Sequence, residues 1–86
     1  KTYSFEGDIE LAVPCLEFGK NVPYIVNWNG TEYKVKAKYN GDNYYTLVKY
    51  STEDPDLPFS STAAKGWVTF FRPYDSTVKT VTMSIL

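Results

Sequence analysis

The sequence has no histidine among its 86 residues, and this absence excludes several kinds of active site. A Ser-His-Asp triad, a Cys-His nucleophile pair and a metal site with an imidazole ligand cannot be built. The single cysteine, Cys15, cannot form an intrachain disulfide, and one thiol is too few for a cysteine zinc site. Its neighbours Pro14, Leu16 and Glu17 provide no electropositive setting, so we expect Cys15 to be a buried apolar residue.

Long apolar runs, glycine-rich loops and excess positive charge are also missing. No apolar run approaches the ~20 residues that span a bilayer, and the polar and aromatic first residues do not form a signal peptide. The five glycines are scattered at turns, so no phosphate-binding loop is present. A net charge of −1 and a pI of about 5.2 argue against an electrostatic nucleic-acid binder. We therefore expect no membrane insertion, no nucleic acid partner and no cofactor.

Aromatic residues are abundant, with eight Tyr, five Phe and two Trp. A single domain spanning residues 1–86 buries only about 60–65% of its unfolded surface, so its core is thin. Each aromatic side chain can bury roughly 150–250 Å², which compensates for the small size. The chain begins at Lys1 without a methionine, from which we expect an excised domain or processed product, part of a larger chain or a homo-oligomer.

The clearest local pattern is a β-hairpin over residues 24–39, with Asn29-Gly30 at its tip. A type I′ turn needs positive φ at both central residues, and Asn-Gly tolerates this best. Counting outward from the turn predicts that Trp28 pairs with Thr31. One face then holds Tyr24, Val26, Trp28, Tyr33, Val35, Ala37 and Tyr39. The other face holds Ile25, Asn27, Glu32, Lys34, Lys36 and Lys38, so a slip of one residue would bury the lysines.

Other short strands precede and follow this hairpin. Residues 2–5 and 9–13 alternate with period two, and Ile9, Leu11 and Val13 are expected to point inward. Residues 16–18 are a further candidate edge strand. Residues 67–71 are predicted to be a strand packed on both sides. In the final strand, residues 77–86, Val81, Met83 and Ile85 share one face.

The turn at residues 40–43 decides which face of the next strand, residues 44–50, is buried. A two- or four-residue loop places Tyr44, Thr46, Val48 and Tyr50 on the face of Val35. A three-residue loop would reverse this assignment, and the sequence leaves both possibilities open.

Residues 51–66 form the longest interruption of the strand pattern. The segment contains Glu53, Asp54 and Asp56, and we interpret it as a solvated loop. The alternative is a calcium-binding site, since Asp-x-Asp supplies two oxygen ligands. One helical turn is predicted at Ala63-Ala64-Lys65. Loops of this length are often functional.

Six or seven short strands without a long helix predict an all-β fold. We expect a single small antiparallel β-sandwich, immunoglobulin-like or similar. An open β-barrel of the OB type is the alternative.

Three aromatic residues are candidate ligand-binding positions, because sugars stack on exposed rings: Tyr45, Phe59 and Tyr74. We place them on an outer face or in loops, and we expect Trp28 and Trp67 in the core. Lys34, Lys36 and Lys38, with Lys49 beside them, are interpreted as an outward face that resists aggregation. The alternative is a platform for single-stranded nucleic acid with Tyr45.

The stretch from Gly19 to Tyr33 resembles a hairpin motif, G-x-x-Y-x-V-x-W-[DN]-G-x-E-Y, with Val22-Pro23 before Tyr24 as a departure. This hairpin occurs in small uncharacterised β modules of gut Firmicutes and their phages, mainly in tail or minor structural proteins. Those modules often carry a later D-T-G-E-P-F element, and residues 54–59 are similar but lack its glycine. They also end in a Thr/Val-rich strand. The resemblance supplies no catalytic residues.

We therefore expect a non-catalytic structural or interaction module of a phage tail-like or bacterial surface protein. It would act through its sheet faces and residues 51–66. Its partners would be other protein subunits or a cell-surface glycan, and its location extracellular, on the cell surface or in a virion. The alternative is a carbohydrate-binding module that uses Tyr45, Phe59 or Tyr74. No catalytic or metal-binding residue is expected.

Overall fold

The hairpin around Asn29-Gly30 has the register that its residues predict. In the computed structural model, which describes residues 1–7, 9–14 and 22–86, Trp28 lies opposite Thr31, Val26 opposite Tyr33 and Tyr24 opposite Val35. Asn29 and Gly30 both have positive φ, 54° and 88°. The Gly30 N–H donates to Asn27 Oδ1 at 2.9 Å, which closes the turn. The predicted hairpin is confirmed.

The described residues form eight strands and no helix. Their bounds are β1 Thr2–Ser4, β2 Glu10–Pro14, β3 Pro23–Trp28, β4 Thr31–Gly41, β5 Tyr44–Lys49, β6 Ser60–Ala64, β7 Trp67–Phe71 and β8 Thr80–Ile85. The all-β prediction is therefore confirmed, with more strands than the six or seven expected. No helix in these residues has the length and apolar character needed to cross a membrane. The expected edge strand at residues 16–18, and Cys15, lie outside the described residues.

All pairings are antiparallel, in the order β1-β8-β3-β4-β5-β6-β7-β2. The two outermost strands, β1 and β2, also lie close together, so the sheet is nearly closed and barrel-like. Antiparallel order places the β1–β2, β3–β4, β5–β6 and β7–β8 connections at one end, which we call the loop end. The opposite end holds the β4–β5 and β6–β7 turns together with Lys1 and Leu86.

The core lies inside this sheet and consists mainly of alternating strand residues. Tyr24, Val26 and Val35 of the hairpin are fully buried, as predicted, and so are Val68 and Phe70 of β7. Four residues expected inside are exposed instead. These are Ile9, Tyr39, Trp67 and Ile85.

The reasons for this exposure are positional. Ile9 precedes β2, and Tyr39 and Ile85 lie near strand ends, where the core no longer covers them. Trp67 points outward because it alternates with Val68, which is fully buried. Residues 67–71 are therefore packed mainly on one face, and the prediction of packing on both faces is wrong.

A β-bulge between β4 and β5 reverses the favoured assignment of the third strand. Tyr39 pairs with Tyr45, but Gly41 pairs with Tyr44, so one residue of β4 has no opposite partner. Leu47 consequently lies opposite Ala37 and is buried. The face of Val35 thus receives Tyr45, Leu47 and Lys49, which is the outcome that a three-residue loop would give.

Strand β6 occupies part of the segment expected to be a long loop. The helical turn predicted at Ala63-Ala64-Lys65 is wrong, because Ala63 is fully buried opposite Val68. Burial in the sheet overrides the helix preference of alanine. Lys65 and Gly66 form the tight β6–β7 turn, with φ of 55° and 83°. Only residues 50–59 connect β5 to β6.

Candidate binding surface at the loop end

An aromatic cluster fills the core beneath the loop end. The Phe59 ring lies 4.8 Å from Trp28, 5.3 Å from Phe70 and 6.3 Å from Tyr33, measured between ring centroids. Trp28 in turn contacts Phe5 edge-on at 5.8 Å. Edge-to-face and tilted contacts of this kind stabilise a core beyond simple area burial. Because these rings lie at or near the strand ends that meet at the loop end, they anchor the connections above them.

Phe59 is part of this core and is only 8% exposed. Phe59 lies in the β5–β6 connection, in agreement with the expected loop position, but its ring is buried rather than exposed. The acidic segment before it had suggested a solvated loop, but the ring enters the core just before β6 begins. Trp28, by contrast, is buried as expected.

Arg72 holds the connections of the loop end together. Its guanidinium lies over the Phe5 ring, with Cζ 4.2 Å from the centroid. Nη2 donates to the Gly7 carbonyl at 3.2 Å, and Nη1 donates to the Val78 carbonyl. The Arg72 backbone N–H donates to the Ile9 carbonyl at 2.9 Å. One side chain thus links the β1–β2 and β7–β8 connections, a role that the sequence did not indicate.

A groove of about 310 Å³ opens beside Arg72. Its lining comes from the end of the β5–β6 connection and from the end of β7: Leu57, Pro58, Phe59, Ser60, Phe71, Arg72 and Pro73. Two prolines stiffen its walls, because each ring fixes the backbone φ angle. The groove is therefore an open depression of mixed polar and apolar character, with prolines in its walls.

Tyr74 stands next to this groove and is 87% exposed. It lies in a turn closed by a 2.9 Å hydrogen bond from the Ser76 N–H to the Pro73 carbonyl. Of the three candidate aromatics, only Tyr74 has an exposed ring. Phe59 lines the groove, whereas Tyr74 only follows the groove-lining Pro73 in the chain and is not part of the wall.

Tyr45 lies elsewhere. It belongs to the core-facing side of β5, half-buried against the core, with its ring 5.3 Å from that of Tyr39. It pairs with Ala63, four residues from Phe59, or roughly 13 Å along an extended strand. Its expected outward position is wrong, because the bulge in β4 turned the strand over.

The acidic residues of the β5–β6 connection bind partners within the chain. Asp54 Oδ2 accepts a hydrogen bond from the Ser51 N–H at 3.0 Å, and Asp56 pairs with Lys49 Nζ at 3.0 Å. Ser51 Oγ accepts from the Glu53 N–H at 3.3 Å. Among the described residues, no group of three metal-binding side chains comes together. These contacts shape the connection.

The lysine row of β4 faces outward as predicted, since Lys34, Lys36 and Lys38 alternate with the inward Val35 and Ala37. Lys49 is not beside the row. It lies opposite Val35 and points to Asp56. With Lys49 and Tyr45 both on the other side of the sheet, the proposed lysine–tyrosine platform is not assembled.

The chain was compared with protein-family models, curated proteins and solved structures. No family model, curated protein or solved structure gave a significant match to the chain.

Proposed function

We propose that the domain is a non-catalytic interaction module of a phage tail-like or bacterial surface protein, and that it binds another protein subunit at the loop end. The observation that carries the proposal is Tyr74, a highly exposed ring in the turn that begins at Pro73, a residue of the groove wall. Tyrosine is enriched among residues that dominate interface energy, and such residues insert beside well-packed pockets. The resemblance of residues 19–33 to modules of tail or minor structural proteins supports the same class and an extracellular, cell-surface or virion location.

The residues beneath the loop end hold its connections in place, as a binding surface requires. Arg72 joins two connections, and Phe59 anchors a third in the aromatic cluster. A binding surface that is rigid before association loses less conformational entropy on binding. The non-catalytic part of the proposal is supported by the absence of histidine and by the structural partners of Asp54 and Asp56.

A photo-cross-linking pair tests the proposal. A benzoylphenylalanine replaces Tyr74 in one variant and Tyr39, which is 57% exposed at the opposite end, in the matched control. Irradiation in the source cells or particles should give a defined protein adduct from position 74 and none from position 39. An adduct of twice the chain mass would identify a second copy as the subunit. Identical adducts from both positions, or none from position 74 in folded protein, would refute a loop-end interface.

Exchanging residues 51–66 for a short linker would not test this proposal, because it would delete β6 and the buried Phe59 and so unfold the domain. Tyr74→Ala is the sharper variant. For a dominant interface residue we expect a loss of at least about 2 kcal/mol, or roughly 30-fold in affinity.

Carbohydrate binding at the loop end is the second candidate, and the exposed Tyr74 ring favours it. A glycan array with the isolated domain, followed by titration of Tyr74→Ala, measures it. Saturable binding that the variant weakens at least tenfold would support this function. Unchanged glycan affinity in Tyr74→Ala would show that Tyr74 is not part of the carbohydrate-binding site.

We also propose that the fold is a β-sandwich of two sheets and not a closed β-barrel. Strands β5 and β6 share one register pair, Tyr45 with Ala63, and β1 and β2 share none. Two weak seams would divide the strands into a five-stranded and a three-stranded sheet. Amide hydrogen exchange should then be faster along β5–β6 than along β3–β4, and equal protection around the whole sheet would favour a barrel.

A further inference from the structure

The outer face of β6, β7 and β2 carries aromatic rings and hydroxyl groups and almost no charge. The strand register sets three rows across this face. They are Ser60–Phe71–Glu10, Thr62–Thr69–Ala12 and Ala64–Trp67–Pro14. Eight of these nine residues are uncharged. The outer face of β4, by comparison, carries Glu32 and three lysines. We call the nine residues the neutral face.

Two aromatic rings stand on the neutral face along one strand. Trp67 is 50% exposed and Phe71 is half-buried, while Val68 and Phe70 between them are fully buried. Residues four apart on a strand share a face and are separated by roughly 13 Å. Thr69 lies between the two rings, and Thr62 lies opposite Thr69 on β6. The face thus presents a ring, a pair of hydroxyls and a second ring in a line.

The neutral face is continuous with the loop-end groove. Ser60 and Phe71 form the last row of the face and also line the groove. A ligand lying along β7 could therefore extend from Trp67 into the groove. This gives the face an elongated shape that fits a chain molecule better than a compact one.

The available contacts restrict the chemistry of such a chain. A β7 residue has β6 on one side and β2 on the other, so its backbone groups are already paired and no peptide strand can be added there. Two cations lie at the ends of this face. Arg72, at the groove end, is engaged with two carbonyls and the Phe5 ring, and Lys65 lies in the β6–β7 turn. What the face offers is ring surface and hydroxyl groups. Aromatic rings pack on the apolar faces of sugars, and hydroxyls exchange hydrogen bonds with sugar hydroxyls.

We propose that the neutral face binds an uncharged glycan chain, with Trp67 as the main stacking residue, Phe71 as the second ring, and Thr62 and Thr69 as hydrogen-bonding partners. This site shares the groove with the proposed protein interface but does not depend on Tyr74, and none of its four named contact residues is one of the three aromatic candidates from the sequence. The expectation that Trp67 lies in the core is wrong, because alternation with the buried Val68 places its ring on the outer face.

Calorimetric titration of the 86-residue chain with neutral hexasaccharides tests the proposal. The probes are β-1,4-glucan, β-1,4-N-acetylglucosamine, α-1,4-glucan and β-1,4-mannan hexamers, with a polysialic acid fragment as the charged comparison. We expect saturable binding of at least one neutral probe. Trp67→Ala should weaken it at least tenfold, which corresponds to about 1.4 kcal/mol. The Thr62→Val/Thr69→Val variant, nearly isosteric, should weaken it about threefold to tenfold and keep the folded circular dichroism spectrum.

The matched control is Tyr39→Ala, which removes an exposed ring away from the neutral face. It should bind the probe within twofold of the wild type. Absence of binding by folded wild type to every neutral probe would overturn the proposal, as would preference for the charged probe or unchanged affinity in both face variants. If Trp67→Ala does not fold, the threonine variant decides. If the cross-link from position 74 persists in Trp67→Ala, the protein interface does not depend on the glycan-binding face, and the two proposals are tested independently.

Discussion

Replacing Ser61 with alanine removes a single oxygen atom, but it should destabilise the domain strongly. Ser61 is one of the few buried polar residues, 5% exposed, and its Oγ accepts a hydrogen bond from the Leu47 N–H at 3.0 Å. Strands β5 and β6 share only the Tyr45–Ala63 register pair, so at this point a side chain takes the place of a backbone acceptor. Ser61→Ala removes the acceptor and leaves a buried N–H unpaired.

The expected magnitude follows from desolvation. Leaving a buried donor without a partner costs about 1–3 kcal/mol. For a domain of this size, each kcal/mol lowers Tm by roughly 4–8 °C, so a loss of about 2 kcal/mol corresponds to roughly 8–16 °C. The change from hydroxyl to hydrogen leaves only a small void, so the cavity contribution is minor.

Thermal and urea unfolding followed by circular dichroism measure this loss. Ser60→Ala is the matched control, because Ser60 is the exposed neighbour on the same strand, and it should stay within about 0.5 kcal/mol of the wild type. In Ser61→Ala, hydrogen exchange at the Leu47 amide should accelerate by more than the loss of global stability explains. Exchange at the amides of β3 and β4 should accelerate only by the amount that this loss explains. A Ser61→Ala protein as stable as the Ser60→Ala protein would refute the reasoning.

Three further changes test other contacts. Phe59→Ala should cost about 3–5 kcal/mol in urea unfolding because it empties the aromatic cluster, and a stability near that of the wild type would mean that the ring is not in the core. Arg72→Ala should cost about 2–4 kcal/mol through loss of charge-assisted hydrogen bonds and the ring contact, and Arg72→Lys should recover only part of this, since lysine lacks the planar fork. Full recovery by lysine in the same melt would contradict a bidentate role. Asp56→Asn, which breaks the pair with Lys49, should change stability by at most about 1 kcal/mol at low salt and less in 1 M salt, and a salt-independent loss would show a different role for Asp56.

The hairpin of β3 and β4 was predictable because its information is local. Asn29 and Gly30 alone tolerate the turn geometry, and alternation then sets every pair from Trp28–Thr31 outward. The exposure of Lys34 and the burial of Val35 follow from the same alternation, because exchanging them would bury a charge.

The next strand was not predictable in the same way. Whether Tyr45 or Tyr44 points inward depends on one bulged residue in β4, and several loop lengths suit the residues of that turn. Burial of Leu47 and the hydrogen bond from its N–H to Ser61 both favour the bulge, and Ser61 belongs to β6, outside the β4–β5 hairpin. Tyr45 was therefore misplaced as a candidate site.

Sequence alone determined that the chain is all-β, that the Asn29-Gly30 hairpin has one register and that imidazole chemistry is absent, because each of these depends on residue type and short-range geometry. The tertiary structure decided the positions of the candidate sites. It buried Phe59 among rings from β3, β4 and β7, left Trp67 on an outer face and joined Arg72 to the carbonyls of two connections. These outcomes depend on which strands become neighbours, and that is settled by packing between residues far apart in the chain.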